Sequence, residues 1–467
     1  MKHAFLYIIG GLLILTACYK DKGNYDYHPI GEPVVSNLDT AYNAMVGDSF
    51  IISPKVVLAS GNKKYLGHWQ IQIPGQMYTE DYDGQELRIV FGLGASRYPA
   101  LFTVYDSITD MKYYYKFVIN GSAAFTRGAI VLSEDAAGSK ISFVKEDGTV
   151  QPDVYTSINH DTLPAHAQQL SVMKNANYGN LITGYWATFS NGGVFIDPNN
   201  LQKIRTLAQN FYSDPGPLQV QTFMEVSMGV PTAIINKKLY RGATETAPFA
   251  TYYGYLGVPF DGDYSLASTI ICSAPENGGY FLGFEETKRR LVRMDWGNYL
   301  DTNYVLRDSA FFPQNLKMNV WHLGRFSDNS CYAFCDSAGQ IRELRFGMDV
   351  QPGKDPIFHA YEKRVPVIAD KISATTLWTE SPIGVFYFSQ GNKVYRYNPL
   401  NKDVKELNTS FGSEVTMLKL LNNGDLLIVG VNGSLVYLDV STGHTGDKIK
   451  QVDGIPGTPK DIIVRAN

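Results

Sequence analysis

Between residues 33 and 122, hydrophobic and polar side chains alternate in short runs, which is the pattern of strands with one buried face. Turn-forming segments such as Ser60-Gly61-Asn62 and Asp83-Gly84 separate the runs. About ninety residues of this kind match the size of an immunoglobulin-like β-sandwich. Trp69 lies mid-strand, where it is predicted to be a core residue. The predicted strands are residues 49–53, 65–73, 86–91, 100–106 and 113–120.

From about residue 126 onward the alternation is organised as repeated hairpins, each with an apolar strand, a tight turn and a second strand. The hairpins recur at spacings of 41 to 54 residues. Repeats of about 40–50 residues are typical of β-propeller blades. One hairpin cannot bury both faces of its sheet, so stacking the units around an axis is the physical solution. The hairpins begin near Gly128, Asn180, Thr232, Gly279, Ser330, Gly384 and Asp425.

Three of the second strands end in an Asx residue at the same place: Asp197, Asn398 and Asp439. An Asx side chain can turn the chain by accepting a hydrogen bond from the backbone two residues further on. Helical periodicity is confined to residues 201–209, where a helix is predicted. We therefore predict an all-β chain, with a β-sandwich at 33–122 and a propeller of about seven blades at 126–467. Six or eight blades remain alternatives.

The first seventeen residues have the form of an export signal. A short basic start precedes 14 uncharged residues at 4–17, fewer than the roughly 20 that a spanning helix needs. The run ends in Leu15-Thr16-Ala17-Cys18, which resembles a bacterial lipobox, where the Cys thiol is acylated before cleavage. We expect residues 1–17 to be removed and residues 18–32 to form a tether lipidated at Cys18. Tyr19 rather than Asp follows the cysteine, so the expected location is the outer membrane, at the cell surface.

Composition sets limits on the partners. The 467 residues contain 41 Lys and Arg against 45 Asp and Glu, giving a formal net charge of -4. Nucleic acid selects a basic surface and is not expected as a partner. Hydrophobic residues make up 44% of the chain, enough for a folded core. Besides Cys18 the chain has Cys272, Cys331 and Cys335, and this odd number predicts buried thiols rather than a disulfide framework.

The segment after the lipobox, Cys18-Tyr19-Lys20-Asp21-Lys22-Gly23-Asn24-Tyr25-Asp26-Tyr27, resembles the start of PKD-like family lipoproteins of Bacteroidetes. Tyr65-Leu66-Gly67-His68-Trp69 and Phe102-Thr103-Val104-Tyr105-Asp106 are similar to two strands of a PKD fold, although a Gly-Asp-Gly after the Trp is lacking. The resemblance covers roughly the first 120 residues. It implies an accessory role beside starch-utilisation-type transporters, which import glycans or peptides, and it implies no catalytic residues.

The sequence lacks the common catalytic motifs: a zinc-binding His-Glu-x-x-His, a Gly-x-Ser-x-Gly elbow and a phosphate-binding loop. Residues 92–97 begin like a dinucleotide-binding loop, but Arg97 replaces the third Gly, and a turn is predicted. No metal or cofactor is expected, since His160, His166 and the acidic turns at 80–84 and 261–263 complete no ligand set. Glu285-Glu286 is interpreted as a solvated hairpin tip.

Aromatic residues supply the candidate ligand-binding site. Sugar rings present flat C–H faces that stack on aromatic rings, and loops between hairpins could expose such rings. For each aromatic residue, packing between blades is the alternative interpretation. The candidate ligand-binding residues are Tyr252, Tyr253, Tyr255, Trp321, His322 and Trp378.

These features together predict an outer-membrane lipoprotein that binds an extracellular glycan or peptide and passes it to a partner transporter. One alternative is a propeller hydrolase or lyase with carboxylates contributed by separate blades. Another is a structural subunit of the transporter complex that only docks proteins. The absence of catalytic motifs favours the binding role over the enzyme.

Overall fold

A computed structural model describes residues 31–61, 64–73, 79–245 and 251–465. The predicted signal, Cys18 and nearly all of the tether lie outside these residues. Strands dominate the described chain, which confirms the all-β prediction. Helix α1 spans Val154–Asn159, and short 3₁₀ turns span Ala176–Tyr178, Ala208–Asn210, Pro275–Asn277 and Asn422–Gly424. None of the helices in the described ranges is long and apolar enough to cross a bilayer.

The N-terminal region is a β-sandwich of nine strands. A five-stranded sheet with the order β2-β9-β8-β5-β6 packs on the β3-β7 pair, and β1 pairs with β4. The strands are β1 (Val34–Ser36), β2 (Ala41–Met45), β3 (Ser49–Ile52), β4 (Lys55–Val57), β5 (Leu66–Gln72), β6 (Thr79–Asp83), β7 (Leu87–Val90), β8 (Arg97–Asp106) and β9 (Met111–Ser122). The five predicted strands are therefore confirmed.

Trp69 is the centre of the sandwich core, as predicted. Its side chain is fully buried and stacks on Phe102 with ring centroids 4.0 Å apart. Its Nε1–H donates a 2.9 Å hydrogen bond to the carbonyl of Gly84, which satisfies the one polar group of the buried ring. Alternation along β5 places Trp69 and Ile71 inside, while His68 and Gln70 face outward.

The described C-terminal region contains seven consecutive sheets of three to five strands, in a β-propeller-like series. The first three sheets consist of β10 (Gly128–Asp135), β11 (Gly138–Val144), β12 (Val150–Gln151) with the last strand β37 (Thr458–Arg465); β13 (Ala167–Asn175), β14 (Leu181–Phe189), β15 (Gly192–Ile196), β16 (Lys203–Thr206); and β17 (Val220–Met224), β18 (Thr232–Ile235), β19 (Lys238–Arg241).

The next four sheets consist of β20 (Leu266–Ser273), β21 (Tyr280–Glu285), β22 (Arg290–Met294), β23 (Tyr299–Asp301); β24 (Val305–Arg307), β25 (Asn319–Arg325), β26 (Cys331–Ser337), β27 (Gln340–Asp349), β28 (Ile357–Arg364); β29 (Trp378–Ser381), β30 (Val385–Gln390), β31 (Lys393–Asn398), β32 (Asp403–Glu406); and β33 (Val415–Leu421), β34 (Leu426–Val431), β35 (Ser434–Asp439), β36 (Asp447–Asp453). Within these sheets only β24 pairs in parallel, with β28.

The inner strands of neighbouring sheets contact one another. We use this term for β37, β13, β17, β20, β25, β29 and β33, one from each sheet. Each contacts the next in this order, and β33 contacts β37 again. The last strand of the chain therefore pairs with β10, the first strand of the region, and also touches the inner strands on both sides.

The predicted hairpins and turns are confirmed. Strands begin at Gly128, Leu181, Thr232, Tyr280, Cys331, Val385 and Leu426, each at or one residue after a predicted position. The Oδ1 atoms of Asp197, Asn398 and Asp439 each accept a hydrogen bond of 2.7–3.0 Å from the backbone N–H two residues on. The repeated Asx residue thus performs the same turn in three sheets.

Three local predictions are wrong. Instead of one helix over 201–209, strand β16 is followed by the 3₁₀ turn Ala208–Asn210, because pairing with β15 outweighs a weak helical periodicity. Residues 80–83 belong to strand β6 and not to a turn. Glu285 is buried rather than solvated, since its carboxylate accepts the backbone N–H groups of Thr287 and Lys288 and so closes the hairpin.

Candidate ligand-binding site

Three tyrosines form a cluster on the loops that precede and follow the third sheet. Tyr212, Tyr252 and Tyr255 have ring centroids 5.4 to 5.9 Å apart, and we call them the tyrosine cluster. Tyr212 and Tyr252 are 54% and 53% exposed, while Tyr255 is half-buried. Two predicted residues therefore come together, and they are joined by Tyr212, which the sequence analysis did not select.

Backbone hydrogen bonds join the two loops that carry the cluster. The N–H of Tyr212 donates to the carbonyl of Leu256 at 3.0 Å, and the N–H of Leu256 donates to Asn210 at 2.8 Å. The buried side chain of Asn210 also donates to the carbonyl of Gly254 at 2.9 Å. Gly254 has a φ of +76°, a conformation that favours glycine, and this turns the chain between Tyr253 and Tyr255.

Tyr253 points away from its two neighbours and is held inside. It is only 8% exposed, its hydroxyl donates to the carbonyl of Met228 at 2.6 Å, and it accepts from Asn175 Nδ2 at 2.8 Å. Burial raises the pKa of this hydroxyl. The expected exposure of all three loop tyrosines is therefore wrong for Tyr253, because both hydrogen-bond partners lie in the interior.

A cavity of about 390 Å³ opens beside the cluster. This volume lies within the roughly 300–1,000 Å³ of small-molecule sites. The base of the cavity includes Trp186, which is fully buried and packs on Phe195 with centroids 5.0 Å apart. We call it the tyrosine cavity, and its lining includes Trp186, Phe195, Arg205, Thr251, Tyr253 and Tyr255.

Arg205 is the charged group of the tyrosine cavity. Its guanidinium carbon lies 4.6 Å from the centre of the Phe195 ring and 5.3 Å from that of Tyr255. Its Nε–H donates to Asn210 Oδ1 at 2.6 Å. Burial lowers the pKa of Arg205, but a guanidinium remains protonated at any physiological pH.

Trp321, His322 and Trp378 also come together, but in packing between the fifth and sixth sheets. The rings of His322 and Trp378 stack at 5.0 Å, and Trp378 also stacks on Phe334 at 4.4 Å. Trp321 packs on the same hydrophobic cluster. Trp321 and His322 lie in β25 and Trp378 begins β29, so the expectation that loops expose them is wrong. Their strands are inner strands, which pack on their neighbours.

Two ion pairs join neighbouring inner strands. His322 Nε2 lies 2.7 Å from Glu380 Oε1, and Lys419 Nζ lies 3.0 Å from Asp461 Oδ1. In the described ranges no group of three or more His, Cys, Asp or Glu side chains is placed to hold a metal ion. The inner strands therefore bring charged residues together as pairs from neighbouring sheets.

A second cavity, of about 450 Å³, lies between the sandwich and the second sheet. Its lining includes Ile73, Leu93 and Tyr98 from the sandwich and Tyr178, Ile182 and Asn199 from the other side. Residues 92–96 form the predicted turn here, directly before β8, and Ala95 contacts Asn199 of the C-terminal region.

Comparison with known proteins identifies a family for the first part of the chain. Residues 18–166 match the PKD-like family, which confirms the PKD-like part of the resemblance inferred from the sequence. The match covers the predicted lipidation site, the tether, the sandwich and the first strands of the C-terminal region. No curated protein matches the chain.

Several solved structures are similar in fold. A quinonprotein alcohol dehydrogenase-like protein from Bacteroides thetaiotaomicron has 11% identity and a TM-score of 0.42, covering 93% of this chain and 99% of that one. The β-propeller domain of Cps50 from Myceliophteria thermophila has 8% identity and a TM-score of 0.40, over 63% and 87%. A functionally unknown protein from Desulfotomaculum acetoxidans has 13% identity and a TM-score of 0.42, over 72% and 98%.

Proposed function

We propose that the mature protein is a lipid-anchored outer-membrane protein that binds a glycan or peptide outside the cell and passes it to a partner transporter. The observation that carries the binding role is the exposed tyrosine cluster beside a cavity of about 390 Å³. Tyr212 and Tyr252 offer two exposed aromatic faces, and Tyr255 connects them to the cavity. Core packing does not explain why these aromatic rings are exposed, whereas ligand binding would.

Binding would combine stacking with hydrogen bonding. The tyrosine faces would pack on the C–H face of a sugar or on an apolar side chain, and their hydroxyl groups would donate to polar atoms of the ligand. The hydrogen bonds among Tyr212, Leu256 and Asn210 hold the two loops together before the ligand arrives. A site that is already ordered loses less entropy on binding.

We further propose that the seven sheets are the blades of one closed propeller. The ring of contacts among the inner strands and the pairing of β37 with β10 support this arrangement. The tyrosine cluster would then lie on the third blade, at a distance from the membrane set by the sandwich and the tether. The lipobox-like Leu15-Thr16-Ala17-Cys18 supports the anchored location.

Calorimetry with a panel of glycans and peptides tests the binding role. We expect at least one ligand to bind, and the double variant Tyr252→Ala, Tyr255→Ala to weaken it at least about tenfold, or 1.4 kcal/mol. Tyr114→Ala is the matched control, since Tyr114 is 61% exposed on the N-terminal sandwich, away from the site. Absence of binding across the panel, or equal loss in the control, would refute the proposed site.

Protease accessibility on intact cells tests the location. Cleavage of the C-terminal region on intact cells supports a surface protein that meets exogenous ligands. Protection until the cells are lysed would contradict extracellular capture. A Cys18→Ser variant should be released from the membrane fraction, because it lacks the thiol that carries the lipid.

The pairing of His322 with Glu380 supports a second candidate, a hydrolase or lyase. A His and a carboxylate 2.7 Å apart on neighbouring inner strands could transfer a proton. If this candidate is correct, the wild-type protein converts a bound glycan into product, and Glu380→Gln abolishes that conversion. If the wild-type protein binds a glycan without altering it, the binding role stands alone.

A further inference from the structure

Arg205 lines the tyrosine cavity, and among the described residues no carboxylate forms an ion pair with it. Among the described residues its one hydrogen-bond partner is Asn210, a neutral amide, and it forms no ion pair. The guanidinium lies over the Phe195 and Tyr255 rings, which are uncharged and do not compensate its charge. Only Nε is engaged, so the N–H groups of Nη1 and Nη2 have no partner in the described part of the chain.

Arg241, on β19 of the neighbouring third sheet, provides a comparison. Its guanidinium carbon also lies over an aromatic ring, 4.9 Å from the centre of Trp296. Arg241, however, has its own carboxylate, with Nη2 3.5 Å from Glu245 Oε1. Each arginine has an aromatic neighbour of its own, but of the two only Arg241 forms an ion pair and only Arg205 lines the tyrosine cavity.

A half-buried guanidinium without a counter-charge can bind an anionic group through charge-assisted hydrogen bonds. Stacking on aromatic faces fixes the plane of the group and leaves its N–H edge for two parallel hydrogen bonds to a carboxylate. We therefore propose that the tyrosine cavity recognises an acidic saccharide, whose carboxylate binds Arg205 while its ring packs on the tyrosine cluster. This inference rests on the proposed function and specifies its ligand class.

The cavity favours a sugar acid over a larger acidic partner. Its volume of about 390 Å³ is at the low end of the usual range for small ligands. Tyr255 both contacts Arg205 and belongs to the tyrosine cluster, so the charged and the stacking groups are adjacent. A uronic acid carries a carboxylate directly on a ring with a C–H face, which matches that adjacency.

The test uses the full mature chain with Cys18→Ser and pairs of tetrasaccharides that differ only in charge. The probes are galacturonan, alginate and hyaluronan tetrasaccharides, each beside its carboxyl-reduced counterpart, with acidic peptides as a further set. We expect at least one acidic saccharide to bind about tenfold or more tightly than its reduced form. Added salt should weaken the acidic member selectively.

Variants locate the charge recognition. Arg205→Gln should bring the ratio of acidic to reduced affinity close to one, and Arg205→Lys should keep part of the preference, since it retains charge but loses the planar fork. Arg241→Gln should keep the wild-type ratio. Circular dichroism and the melting temperature of each variant establish that it is folded. If Arg205→Gln does not fold, the affinity ratio of Arg205→Lys is compared with that of the wild type instead.

Each result decides the question. Equal binding of acidic and reduced saccharides overturns the inference and leaves the proposed function in place. A preference that survives in Arg205→Gln overturns the role of Arg205. Binding of acidic peptides without any saccharide overturns the saccharide class alone. If no saccharide or peptide binds, the proposed function itself fails, and the inference fails with it.

Discussion

The backbone N–H of Ala95 donates a 3.0 Å hydrogen bond to Oδ1 of Asn199, which lies 104 residues further along the chain. Ala95 belongs to the turn between β7 and β8 of the PKD-like domain. Asn199 follows β15 in the Asx turn that Asp197 forms. The contact therefore joins a turn of the N-terminal domain to one of the repeated turns of the propeller-like region.

The first prediction concerns this contact. Asn199→Ala removes the acceptor and should lower the free energy of local opening at Ala95 by about 1 kcal/mol. Gly94→Ala should act in the same direction, because a Cβ at Gly94 would lie 2.9 Å from Asn199 Nδ2. Hydrogen exchange of the Ala95 amide measures both effects. Gly92→Ala is the control, since a Cβ there meets nothing within 4 Å, and unchanged protection in both test variants would contradict the prediction.

The second prediction concerns Asp461, which connects three inner strands. Its carboxylate accepts from the backbone N–H of Leu170 at 2.9 Å and from Lys419 Nζ at 3.0 Å, and it is 7% exposed. Asp461→Ala leaves the buried N–H of Leu170 without an acceptor, whereas the Lys419 ammonium, 33% exposed, can still reach water. The free energy of unfolding should fall by about 1–3 kcal/mol.

Urea denaturation measures this loss. Lys460→Ala, a change at the adjacent position of β37, is the control and should cost less than about 1 kcal/mol. A similar cost in both variants would mean that the strand as a whole, and not the Asp461 carboxylate, provides the stabilisation.

The third prediction separates packing aromatics from ligand-binding ones. Trp378→Ala removes stacking with Phe334 and His322 and should lower the free energy of unfolding by about 2–3 kcal/mol, less than a fully buried Trp. Tyr252→Ala removes an exposed ring and should change it by less than about 0.5 kcal/mol. Thermal denaturation of both variants checks this contrast, which would be lost if Trp378→Ala were equally neutral.

The fourth prediction concerns the thiols. Cys331 and Cys335 are fully buried, whereas Cys272 is partly buried, and burial raises the pKa of each thiol to about 12. At pH 8 the reactive thiolate is therefore scarce in the folded protein. In a Cys18→Ser protein we expect all three thiols to resist a thiol reagent until guanidinium chloride is added. As the denaturant concentration rises, Cys272 should react first. Rapid labelling of Cys331 or Cys335 without denaturant would contradict this burial.

Short-range pattern determined much of this fold. Alternation over a few residues predicted the strand around Trp69 and the hairpins of all seven sheets, because the side chains of a strand point to alternate faces. The turns at Asp197, Asn398 and Asp439 depend only on a side chain and the backbone two residues away. Such features are local, so a single sequence contains them.

The tertiary structure decided which distant residues meet. Tyr212 joins Tyr255, and β37 pairs with β10 at opposite ends of the C-terminal region, although nothing local in the sequence links either pair. Trp378 is aromatic like the exposed tyrosines, but it lies in an inner strand, and its ring stacks on Phe334 of the neighbouring sheet. Exposure and charge compensation, which select Arg205 and the tyrosine cluster, depend on neighbours that only the packed chain brings together.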